Sequence, residues 1–205
     1  MALLAIIVWM GLGIHFYIST VKYLAEGRTF AGGIVQLLSF FTIEVNILIA
    51  LALTLILLKP LSKWGRFFSK SPVLTVFAFY ITIVGLIYQV ILRKQFHLHG
   101  LFKFADDIFH IACPILFVLF WLLFVPKTNI KWGKVFAWLI YPLIYFFYVL
   151  IRGAVSGYYP YNFLDAHKIG YRQIAINFVL LLSVFLIIGT IFIAISRLLK
   201  QKPPL

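Results

Sequence analysis

Six apolar stretches, each close to the length needed to cross a bilayer, leave this chain few ways to fold. They cover residues 3–20, 35–58, 73–92, 108–125, 136–151 and 174–195. A helix rising about 1.5 Å per residue needs roughly 20 residues to span the hydrocarbon. The shorter stretches gain length from interfacial Tyr and Trp. Lipid offers the backbone no hydrogen-bond partner, so only helices and closed barrels cross it. Continuous apolar runs without a period of two exclude the barrel. The expected fold is all-α: a polytopic membrane protein with six transmembrane helices in one bundle, a single domain over residues 1–205.

Composition agrees. A chain that is 64% hydrophobic and only 11% charged is built for lipid, not for a water-facing surface. The formal charge of +13 raises the question of nucleic acid. The Lys and Arg residues are spread over every connector and the tail, as snorkelling and topology residues are, and no aromatic single-strand motif accompanies them. No nucleic-acid partner is expected. The one cysteine, Cys113, lies within a span and excludes an intrachain disulfide. The first stretch has no basic segment ahead of it and no clear cleavage site, so it reads as a retained span. Short basic turns around Lys59, Lys63, Arg66 and Lys70, and around Lys127, Lys131 and Lys134, favour cytoplasmic N- and C-termini.

The polar residues inside the spans gather toward one membrane face. The first, third and fifth connectors must share a side whichever way the chain is inserted. Thr42, Glu44 and Asn46 lie in the part of span two nearest that side. His110 opens span four there, after Asp106 and Asp107. Arg152 closes span five there, and Asn177 begins span six. Thr42 and His110 fall about 6–10 Å above the bilayer centre, counting rise per residue. Ser39, Thr42 and Asn46 recur at i, i+3, i+7 and share a face if the helix is continuous. If the span-four helix extends back one turn, Asp106 and His110 stack at i, i+4, where a carboxylate orients an imidazole. Singly, each residue has a plain structural role: a transmembrane threonine back-bonds to its own helix, and Arg at a helix end anchors to headgroups. Their shared side points to a working site, because intramembrane polar groups are costly.

Three segments carry a resemblance: Phe-Phe-Thr-Ile-Glu-Val-Asn at 40–46, His-x-x-x-Pro at 110–114, and Arg-Gly-Ala-x-x-Gly-x-Tyr-Pro-Tyr-x-Phe-Leu-Asp at 152–165. With the six spans and the order of the motifs, they resemble the bacterial branch of a six-span family whose animal members are the androgen-induced and androgen-dependent membrane proteins. The resemblance implies an intramembrane threonine hydrolase that cleaves fatty acid esters of hydroxy fatty acids. It also implies a nucleophile at Thr42, a general base at His110 and a bacterial plasma (inner) membrane. Glu44 and Asn46 stand where the animal pattern differs.

On that basis Thr42 Oγ is expected to attack a carboxylic ester while His110 takes and returns its proton. Asp106 or Asp107 would orient His110. Asn46 would donate to the oxyanion, a contribution of about 3 kcal/mol for a well-placed donor. Arg152 would hold a carboxylate or headgroup, with Glu44 also in support. Ser39, Tyr158, Tyr161 and Asn177 are candidate substrate contacts. The expected partner is a membrane lipid ester, and no cofactor is expected. No Gly-x-Ser-x-Gly elbow is present, which excludes a soluble-type serine esterase. Two other readings stay open. His97, His99, Asp106, Asp107 and His110 have a spacing that a metal-dependent lipid hydrolase tolerates. The same charges with Glu44 and Arg152 suit a proton relay in a small transporter or a lipid-binding protein.

Overall fold

The computed structural model describes residues 1–95 and 98–200. Among these residues there is no β-strand. Six helices are long and apolar enough to cross a membrane: Ala2–Ala25, Phe41–Leu58, Ser71–Leu92, Gly100–Phe124, Lys134–Ser156 and Ala166–Leu198. The chain is an all-α polytopic membrane protein, and each span meets one of the apolar stretches of the sequence. Large apolar side chains point away from the helix contacts, among them Leu58, Leu123 and Val155, which are 75%, 71% and 85% exposed. Scattered over six such helices, they form a surface suited to acyl chains and not to water.

The described residues pack as two compact units, Met1–Lys127 and Thr128 onward. The first holds α1 (Ala2–Ala25), α2 (Phe30–Leu37), α3 (Phe41–Leu58), α4 (Lys63–Phe68), α5 (Ser71–Ile87), α6 (Gly100–Asp107) and α7 (Cys113–Phe124). A π-helical turn, Tyr88–Leu92, continues α5, and a second, Ile108–Ala112, joins α6 to α7. Local chemistry sets several ends. Thr29 caps α2 by accepting from the Gly32 N–H at 3.1 Å, and Ser62 caps α4 by accepting from Gly65 N–H at 2.9 Å. Pro60 follows the last residues of span two, and Pro72 sits in the first turn of α5, where its missing N–H costs nothing.

Span two departs from expectation. The apolar stretch predicts one helix over residues 35–58, but the helix is interrupted at residues 38–40, where Phe40 is extended at φ −91° and ψ 122°. Ser39 contributes to the break, since its hydroxyl donates to the Val35 carbonyl at 2.6 Å and so competes with the backbone ladder. The i, i+3, i+7 face shared by Ser39, Thr42 and Asn46 is therefore lost. Only Thr42 and Asn46 remain on one helix, and the break puts Thr42 in its first turn.

Inside lipid, helices are held by close packing and interhelical hydrogen bonds more than by solvent exclusion. Both occur in the first unit. α1 lies along α3, and α5 lies along α7. Trp9 Nε1 donates to Thr54 Oγ1 between α1 and α3, and Trp121 Nε1 donates to Thr75 Oγ1 between α7 and α5, each at 2.9 Å. Val8, Val45, Ile49, Leu53, Phe79 and Phe117 on these four helices are fully buried. At the end of α7 the Lys127 ammonium donates to the carbonyls of Trp121, Leu122 and Val125. A cation there neutralises the negative end of the helix. Burial pushes the Lys127 ammonium below its usual pKa.

The second unit contains α8 (Lys134–Trp138), α9 (Ile140–Ser156), a 3-10 turn at Asn162–Leu164 and α10 (Ala166–Leu198), which is broken at Gly170 (φ 73°, ψ 157°). Asp165 caps α10, accepting from the His167 and Lys168 amides at 3.1 and 3.3 Å.

Candidate active site

The site in the first unit starts from the break before α3. Thr42 is the second residue of α3, so its amide belongs to the first turn of the helix. The positive end of the α3 dipole lies at the same place. The Thr42 side chain is 7% exposed. Its Oγ1 lies 3.3 Å from Nε2 of His110, a residue 68 positions further along the chain.

His110 sits in the middle of the π-helical turn Ile108–Ala112. Such turns add a residue to a helix and re-aim its side chains, and they recur at functional sites. α6 supplies the extra turn that the sequence left conditional, so Asp106 does stack beneath His110. The imidazole Nδ1 lies 3.0 Å from Asp106 Oδ1 and 3.0 Å from the Asp106 carbonyl. Both neighbours are acceptors, so Nδ1 carries the proton. In the neutral ring Nε2 is then a lone pair, and it faces the Thr42 hydroxyl. This is the tautomer a general base needs.

Asp107 takes no part in this contact. It pairs with Lys103, whose Nζ lies 2.7 Å from Oδ2, on an exposed face of α6. Of the two neighbouring acids, geometry selects Asp106. Asn46 is fully buried, and its Nδ2 donates to the Thr42 carbonyl at 2.8 Å, one turn back on α3. Its Oδ1 has no hydrogen-bond partner among the described residues. Glu44 lies two residues beyond Thr42 on α3 and is half-buried.

Two residues that the sequence reading passed over belong to this site. Tyr88, at the end of the third span, lays its ring flat on His110, with centroids 3.9 Å apart and planes 12° apart. Its hydroxyl donates to Asp106 Oδ2. His15, on α1, meets Phe109 edge to face at 5.6 Å and lies within electrostatic range of Asp106 and His110. Its Nδ1 is buried without a hydrogen-bond partner among the described residues. An intramembrane histidine is a signal that the sequence did carry. Tyr88, one of 11 tyrosines in an aromatic-rich chain, carried none.

The remaining candidates belong to the second unit. Arg152 lies over the Tyr158 ring, 4.7 Å from its centroid, and points one nitrogen at the Tyr158 carbonyl at 3.4 Å. Tyr161 is buried and stacks on Phe163. Asn177 uses both ends of its amide within the unit: Nδ2 donates to the Phe163 carbonyl at 2.8 Å, and Oδ1 accepts from Gln173 at 3.0 Å. Of the residues with metal-tolerant spacing, His97 lies outside the described residues. Among the described residues, no group of three or more His, Cys, Asp or Glu converges as a metal would require.

Two glycines allow the neighbouring spans to close on the π-helical turn that holds His110. A Cβ on Gly11 of α1 would lie 2.7 Å from Ile108 Cγ2, and one on Gly85 of α5 would lie 3.4 Å from the His110 carbonyl and 3.1 Å from the ring of Pro114 at the start of α7. A branched side chain at Gly85 must push α5 off this turn and carry Tyr88 away from His110. Gly85→Val is expected to lower stability in detergent by about 1–3 kcal/mol, the usual cost of overpacking, read as a fall in the thermal midpoint. Gly13→Val serves as the control, since a Cβ there meets nothing within 4 Å, and its midpoint should stay at the wild-type value.

No protein-family model, curated protein or solved structure matches the chain.

Proposed function

We propose that this chain is an intramembrane hydrolase of lipid carboxylic esters, with Thr42 as nucleophile, His110 as general base and Asp106 as the residue that orients it. One observation carries the reading: Thr42 Oγ1 and His110 Nε2 meet at 3.3 Å inside a membrane-spanning unit, with the far side of the imidazole held by a carboxylate. A nucleophile, a base and an orienting group in sequence are the arrangement that activates a hydroxyl.

Thr42 Oγ bonds to the ester carbonyl carbon as its proton passes to His110 Nε2. The tetrahedral intermediate collapses when that proton moves to the leaving alcohol oxygen, and the acyl group stays on Thr42. Water then gives a proton to His110 and adds to the acyl carbon. Collapse returns the proton to Thr42 Oγ and frees the acid. Negative charge on the tetrahedral oxygen suits the N-terminal end of α3, where the helix dipole favours an anion. The second N–H of Asn46, beyond the one given to Thr42, is a further donor. A substrate dissolved in the bilayer reaches a buried threonine laterally, so its 7% exposure is no barrier. In this reading the substrate is a fatty acyl ester of a hydroxylated lipid. The protein sits in a bacterial plasma membrane with both termini cytoplasmic.

A fluorophosphonate probe on the detergent-purified chain tests the chemistry. Labelling is expected on Thr42 by peptide mass spectrometry, lost in Thr42→Ala and His110→Ala and indifferent to a chelator. A folded wild type that takes no label refutes an activated threonine. Labelling that a chelator removes moves the reading to metal-dependent hydrolysis.

A further inference from the structure

We infer that Tyr88 is a positioning residue of this site, which aims His110 at Thr42 through its hold on Asp106. The inference rests on the hydrolase reading for its catalytic consequence, though not for its geometry. Tyr88 makes two contacts from one side chain, and both meet the same pair of groups. The ring covers one face of the imidazole at 3.9 Å and 12°, which restrains rotation of His110 about its side-chain bonds. The hydroxyl donates to Asp106 Oδ2, which leaves Oδ1 for His110 Nδ1. A carboxylate held at one oxygen has lost the freedom to rotate away from its other partner. Threonine, histidine, aspartate and tyrosine thus form one chain of contacts across three spans.

Local backbone structure supports a dedicated role. Tyr88 opens the π-helical turn Tyr88–Leu92, and His110 lies within the other such turn, Ile108–Ala112. Two spans each depart from the α-helix at the point where they contribute a residue to the cluster, and π-helical turns are found mostly at functional sites. Burial matches: Tyr88 is 7% exposed although it lies near a span end, where tyrosine more commonly sits with its hydroxyl in the headgroup region.

A merely packed tyrosine would not act through Asp106, and a mutant cycle on the full-length chain separates the two cases. The readout is solvent exchange of the His110 Nδ1 proton, followed by NMR on histidine-labelled protein in detergent. Tyr88→Phe keeps the ring and removes the donor. Exchange is expected to rise about fivefold, the factor that corresponds to one net hydrogen bond. In an Asp106→Ala background, which takes away the acceptor of the Tyr88 hydroxyl and leaves His110 Nδ1 the main-chain carbonyl of residue 106, the same substitution is expected to change nothing. Wild-type exchange in Tyr88→Phe, or equal acceleration in both backgrounds, overturns the inference. For ester hydrolysis, Tyr88→Phe is expected to lower kcat about tenfold with KM within about twofold, as loss of orientation does. An unchanged kcat in an active enzyme also overturns it. A wild type that hydrolyses no ester would refute the hydrolase reading, and the exchange cycle would still decide the role of Tyr88.

Discussion

Thr42→Val is expected to remove ester hydrolysis, by about 10⁴-fold or more, while leaving the fold intact. Valine copies the shape and β-branching of threonine, so the first turn of α3 keeps its packing against the π-helical turn that holds His110. It lacks Oγ, so no acyl group can be carried. Losing one member of a unit that acts together commonly removes nearly the whole contribution of that unit. Thr42→Ser restores a hydroxyl at the same place and should stay within about tenfold of wild type, as an oriented nucleophile retained. The pairing matters because Thr42→Ala alone leaves a cavity beside a half-buried imidazole and confounds chemistry with stability. Hydrolysis of a fluorogenic acyl ester in mixed micelles, with thermal midpoints measured on the same preparations, gives both quantities. Valine at wild-type rate would end the case for Thr42 as nucleophile.

How much of this arrangement was legible in the sequence depends on the length scale. The six spans were legible because lipid imposes one requirement on every residue of a segment, and a run of apolar side chains records it directly. The ends were less so. Span four begins at Gly100, not near 108, because the turn from Gly100 to Asp107 includes Lys103, Asp106 and Asp107, and hydropathy gives such a turn no credit. The break before α3 left no proline or glycine to mark it. It arises where Phe40 turns extended and Ser39 bonds back to Val35, a competition that hydrophobic patterning does not register. The sequence carries the Thr42 and His110 pair only in the motif resemblance and in their shared side of the membrane, and their contact depends on helix packing that no local pattern encodes. Asp106 and Asp107 are equal in composition. Only their angular positions, one beneath His110 and the other toward Lys103, tell them apart. Tyr88 was missed for the same reason, since its role lies in meeting two residues from another span.

Those angular positions make Asp106→Asn the sharpest test of the site's electrostatics. The substitution changes almost no volume, so packing is preserved and polarity alone is altered. An amide at this place can turn its N–H toward His110 Nδ1. That contact favours the tautomer with the proton on Nε2, which cannot accept a proton from Thr42. The carboxylate that would stabilise the imidazolium after proton transfer is gone as well. Complete loss of an orienting carboxylate lowers kcat by about 10⁴-fold in the serine-protease arrangement. Here the Asp106 main-chain carbonyl also accepts from Nδ1 at 3.0 Å and survives the substitution, so a loss of about 10²- to 10³-fold is expected, carried in kcat with KM little changed. Asp107→Asn, which touches only an exposed pair with Lys103, should stay within about twofold, as surface ion pairs contribute little. The contrast between adjacent carboxylates in one short helix isolates orientation from charge. If both substitutions lower the rate alike, the effect is the field of the acidic cluster and Asp106 holds no special place. If Asp107→Asn is silent and Asp106→Asn alone is crippled, the imidazole is oriented by a single carboxylate.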